Sequence, residues 1–181
     1  MLSALIKYEK EIEPLSLLSL DKDNLKHHGN KIIILYKNKE ISTLTIKHNE
    51  VFVSFSGNLS FDEFSIINKV INRILSINEA YIDDKNSLLG YLQDGTHAYI
   101  YTNWSSWVFF INEAKFKTLE GNKVIVKNNQ EQELGSGLLI DYTFEVCSSS
   151  LITFNRCTLI TTLGERTFTG SQLTIVPTDR W

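Results

Sequence analysis

The chain has 181 residues, 43% hydrophobic and 22% charged, a globular balance that needs no metal or disulfide to complete its core. The net charge of −3 is spread over both halves with no basic tail, which argues against duplex nucleic acid, whose binding rests on clustered Lys and Arg. Two cysteines, Cys147 and Cys157, are too few for a disulfide framework, and no apolar run approaches the ~18 residues of a membrane span.

The N-terminus lacks the basic stretch of a secretory signal, so a cytoplasmic protein is expected. The heavy use of Lys, Asn and Ile points to an AT-rich bacterial genome. The two prolines, Pro14 and Pro177, leave a long proline-free middle with no flexible linker. A single domain over 1–181 is therefore expected, with possible sub-halves 1–92 and 93–181.

Residues 2–12 read as a short helix or an edge strand, 15–20 as a second apolar segment, and 21–30 as a polar loop. Residues 31–36, 41–47 and 51–55 follow as three strands. The connectors KNKE and HNE are short and polar, so an antiparallel meander is the simple arrangement. One helix is plainly marked next. Ser60 and Glu63 form a capping box, with Leu59 and Phe64 at the positions of a hydrophobic staple. Phe64, Ile67, Val70, Ile71, Ile74 and Leu75 then recur at helical spacing, which predicts a helix lying across the sheet and ending near Ile77.

From Gly95 onward the apolar period is two. Residues 96–102 read as a strand, 103–106 as a turn and 107–110 as the returning strand. Residues 115–119 and 124–127 flank Gly121-Asn122, a two-residue hairpin signal. Residues 138–147 alternate cleanly. In 151–163 the apolar parity shifts, which predicts a bulge near Asn155-Arg156. Gly164-Glu165 makes another tight turn, and a last strand at 173–176 stops at Pro177. Every glycine is expected at a turn or strand boundary. The fold class is α+β and predominantly antiparallel: an N-terminal three-strand meander plus one amphipathic helix, then an all-β C-terminal half.

The sequence carries no nucleotide, metalloprotease or nucleophile-elbow motif. GSG at 135–137 has no following Lys-Ser/Thr and opens no helix. His27-His28 would point to opposite faces of a strand, so one metal rarely takes both. The two cysteines fall out of register for a disulfide. No cofactor and no metal is expected. For an enzyme, Asp94, His97 and Cys157 are the least unsuitable residues.

The run 96–110, THAYIYTNWSSWVFF, is aromatic and free of formal charge. It is either a core hairpin with Ile100, Val108 and Phe110 under the helix, or a binding face made by His97, Tyr99, Tyr101 and Trp104. Trp104, in a polar turn, is expected to be exposed. Asp83 and Asp84 form an acidic loop that suits a basic partner. The expected function is a non-enzymatic protein-binding module, specifically a small toxin-neutralising protein of the immunity type whose partner is a basic toxin domain. The alternative is a β-barrel or sandwich holding a small ligand in an aromatic pocket.

Overall fold

A computed structural model describes residues 1–9, 25–77, 79–146 and 152–179. The expectations for residues 15–20, for Cys147 and for the turn at 148–150 lie outside these residues. The chain forms mostly antiparallel sheet with two helices, an α+β fold. It divides into two compact units, Met1–Trp107 and Val108–Trp181. The division falls inside the second helix, well past residue 92. No helix of the described residues is long and apolar enough to cross a membrane.

The first unit holds a six-stranded sheet. Its strands are β1 Leu2–Tyr8, β2 Leu25–His28, β3 Lys31–Tyr36, β4 Lys39–Lys47, β5 Glu50–Phe55 and β6 Ala80–Asp83, in the order β2-β3-β4-β5-β1-β6. Residues 2–8 are thus strand, and residues 25–28 are strand where a loop was expected. Strands β2 to β5 are a meander because each connector is a tight two-residue turn. Gly29 opens the first, Lys37 and Asn38 both take positive φ in the second, and His48 does so in the third. Asn and Gly adopt that region at little cost.

Register fixes one apolar face. Ile32, Leu44, Val53 and Ala4 lie opposite one another across four strands, and Ile46, Val51, Ile6 and Ile82 form the next row. Helix α1, Phe61–Leu75, covers this face. Ser60 accepts from the Glu63 amide, and the Glu63 side chain accepts from Ser60, so the capping box forms as its spacing predicts. Phe64 meets Phe55 edge to face at 6.1 Å, and the buried Tyr8 hydroxyl donates to the Ile74 carbonyl at 2.8 Å. Each fully buried Ile or Val on this interface contributes about 1.5–3 kcal/mol. The helix carries the chain from β5 to β6, which pairs on the far side of β1.

After β6 come a two-stranded ladder, β7 Leu88–Tyr91 with β8 His97–Tyr99, and helix α2, Trp104–Lys117. Helix α2 corrects two expectations, since 107–110 and most of 115–119 are helix and not strand. The run Trp-Val-Phe-Phe has strong β propensity, but burial overrides it. Trp104, Trp107 and Val108 stand at i, i+3 and i+4 and are all buried.

The second unit is a closed antiparallel barrel of β9 Lys123–Lys127, β10 Glu133–Val146, β11 Ile152–Thr161 and β12 Gly164–Pro177, ordered β10-β11-β12-β9 and closed by β9 against β12. Its interior is Val124, Val126, Leu139, Phe154, Cys157, Leu159, Leu173 and Ile175. Phe116, near the end of α2, packs on this core with its ring 4.5 Å from that of Phe154. The expected bulge is present: Thr143 and Phe144 pair with Arg156 and Phe154, leaving Asn155 as the extra residue. The turn expected at Gly164-Glu165 falls at 162–163, and residues 166–168 and 173–176 belong to one strand, β12.

Gly121-Asn122 is no hairpin turn. It links α2 to β9, and the Gly121 amide donates to the Leu139 carbonyl. Four glycines also break the turn-or-boundary expectation, among them Gly90 inside β7 and Gly170 inside β12. Gly135 and Gly137 lie inside β10, where a Cβ would strike the Phe168 ring and the Ile160 carbonyl respectively. The GSG run is a close-packing device.

Candidate functional site

The β7–β8 ladder builds an exposed aromatic surface in the first unit. Tyr91 pairs directly with His97 across it. Their rings meet at 5.1 Å and 67°, and His97 meets Tyr99 at 6.0 Å and 85°. The His97 Nδ1 and Tyr99 hydroxyl are 3.1 Å apart. His97 is exposed, Tyr99 half-buried and Tyr91 55% exposed. The connecting loop is closed by backbone hydrogen bonds between Leu92 and Thr96 and between Gly95 and Leu92. Asp94 accepts from the Thr96 amide at 2.9 Å, and bonding to Thr96 holds its carboxyl below the usual aspartate value.

A buried polar network fixes this ladder from below. The Asp84 carboxylate accepts from the Tyr101 amide (2.9 Å), the Thr102 amide (2.7 Å) and the Thr102 hydroxyl (2.8 Å). The Ser87 hydroxyl donates to the Asp84 carbonyl and accepts from the Ile100 amide. The Asn68 side chain of α1 donates to the Ile100 carbonyl at 2.7 Å, and Asn72 donates to Asn68. Asn103, at φ +61°, turns the chain into α2 and donates to the His97 carbonyl. Buried amides here would otherwise go without partners.

The six residues marked from the sequence therefore separate. His97 and Tyr99 lie together in the surface. Tyr101, 39% exposed, follows the end of β8. Asp83 is exposed, and its carboxylate accepts from the Lys85 amide at 3.3 Å. Asp84 is 4% exposed, a correction to the acidic loop expected at both aspartates. The first carboxylate faces water and the second is an internal hydrogen-bond acceptor. Trp104 is likewise corrected. It begins α2 at 3% exposure and packs on Phe61 at 6.1 Å and Trp107 at 5.5 Å. The residue expected in an exposed turn is thus buried, with Phe61 stacked on it and Phe64 against the neighbouring Trp107.

Tyr91 escaped the sequence reading. Asp94-Gly95 between two apolar runs is a strong short-range hairpin signal and would have paired residues 88–91 with 97–99. Residues 86–114 contain no Lys or Arg.

Among the described residues no group of three or more His, Cys, Asp or Glu side chains could hold a metal. His27 and His28 are both exposed on β2 and pair with Ile32 and Lys31. Cys157 is sealed in the barrel, and burial pushes its thiol up to about 11, so it is no thiolate nucleophile at neutral pH. The barrel interior is packed with side chains, which gives the small-ligand alternative no support there. In the first unit, a groove of about 360 Å³ is lined by Lys7, Tyr8, Glu9, Glu79, Ala80 and Tyr81. Comparison with family models, curated proteins and solved structures returns no match.

Proposed function

We propose that this chain is a non-enzymatic protein-binding module that works in the bacterial cytoplasm and neutralises a basic toxin domain. The observation that carries the reading is the aromatic ladder. Tyr91 and His97 are exposed and Tyr99 is half-buried, on a frame tied to Asp84 and within a stretch that has no Lys or Arg. Tyr supplies large contact area at low entropic cost, which suits a recognition surface. A preorganised frame keeps the ordering cost of association small. Acidity and aromaticity together favour a cationic partner, and toxins that degrade nucleic acid present such surfaces by class-level analogy.

The test is purification of the tagged full chain from its own cell, followed by titration of the purified partner at several salt concentrations. A one-to-one complex that weakens with salt and with Asp83→Lys is expected. A salt-insensitive complex, or one indifferent to Tyr91→Ala and Tyr99→Ala, would overturn the reading. Asp84 is unsuitable for charge reversal, because its loss dismantles the ladder's frame.

A further inference from the structure

We propose that the Tyr91–His97–Tyr99 surface receives an arginine side chain of the partner, with the tyrosine rings against the guanidinium and Asp94 at the loop beside it supplying the counter-charge. This deepens the protein-binding reading and rests on it. Three observations converge. The rings meet edge to face at 5.1 and 6.0 Å, and each such contact covers one ring face. Most ring faces of the trio are thus not used against one another. Tyrosine faces carry the negative part of the ring quadrupole and attract a cation within about 6 Å.

The second observation is position. Asp94 lies in the loop that directly connects Tyr91 to His97, with its carboxylate held by the Thr96 amide and exposed to water. It stays ionised at neutral pH. The third is charge. The basic residues closest in sequence are Lys85 and Lys115, outside a span of residues 86–114 that contains neither Lys nor Arg. Nothing in that span competes with an incoming cation. A planar guanidinium can stack on a ring and donate to a carboxylate at once, which a lysine ammonium does less well.

The test uses the full chain and an oligo-arginine peptide, with the same peptide carrying neutral citrulline as control. Side-chain and amide NMR resonances of residues 91–99 are followed during titration. Saturable shifts centred on Tyr91, His97 and Tyr99 are expected, with the citrulline peptide binding roughly fivefold or more weakly. Tyr91→Leu and Tyr99→Leu, which keep apolar area but lose the ring, should weaken binding by a similar factor. Tyr91→Trp should restore it, and Asp94→Asn should weaken it and reduce its salt dependence.

Equal binding of the citrulline peptide, full binding by the leucine variants, or shifts centred elsewhere would each overturn the assignment. The peptide readout needs no cellular partner, so the two proposals fail separately. A co-purified partner held equally well by Tyr91→Leu removes the arginine assignment alone. Arginine-specific shifts without any basic partner in the cell support the assignment and remove the toxin reading.

Discussion

At the scale of single residues, exposure and hydrogen bonding separate neighbours that look alike in sequence. Asp83 and Asp84 are adjacent carboxylates, yet one faces water and the other accepts three hydrogen bonds from Tyr101 and Thr102. Asp84→Ala should remove the shared acceptor of these part-buried donors, at about 1–3 kcal/mol in all. Hydrogen exchange should then accelerate at Tyr101 and Thr102 while β3 and β4 stay protected. Trp104→Ala should cost about 3–5 kcal/mol, because it opens a cavity between Phe61 and Trp107, and urea unfolding would measure the loss. Glu63 gives a pH prediction. The hydrogen bonds from Lys39 and from the Ser60 amide hold its carboxyl at about 2, against an ordinary 4.5. A carboxyl lowered on folding stabilises above its unfolded value and loses that contribution as pH falls through its folded one. Stability should therefore decline from about pH 4.5 toward pH 2, and Glu63→Gln should flatten this acid limb in thermal melts.

At the scale of elements, the two helices show when pattern suffices. Helix α1 carries its cap, staple and stripe within its own residues, so its start and its buried face are legible without tertiary information. Ser60→Ala should cost about 1 kcal/mol, read from thermal melts. Helix α2 has no such marks: no acidic residue lies in its first turn, and aromatic residues occur all round it. The spacing of Trp104, Trp107 and Val108 was present, but the short Trp-Val-Phe-Phe run fits a strand equally well. Only the pocket made by Phe61 and Phe64 decides for helix. The β7–β8 ladder was half legible. Its second strand was read, while the first was missed because Leu-Leu-Gly-Tyr is too short to show a period. Asp94-Gly95 was the signal that paired them.

At the scale of the whole molecule, the two units each hold a core of their own, a sheet under α1 and a barrel filled by aliphatic and aromatic side chains. Gly137→Ala should strain the barrel, since the new Cβ strikes the Ile160 carbonyl, backbone that cannot swing aside. In a Cys147→Ser background, labelling of the buried Cys157 thiol should begin at lower urea in this variant. The fluorescence change of Trp104 and Trp107, both in the first unit, should stay where it was. The sequence by itself determined the class of the fold, the meander, α1, the bulge at Asn155 and most barrel strands. These follow from periodicity, turn residues and caps, which are local. Tertiary structure alone decided that Trp104 and Asp84 face inward, that α2 is a helix, and that Gly135 and Gly137 sit within a strand. Each of those depends on what the rest of the chain brings alongside, and burial and pairing across long separations leave no mark in a residue's own neighbours.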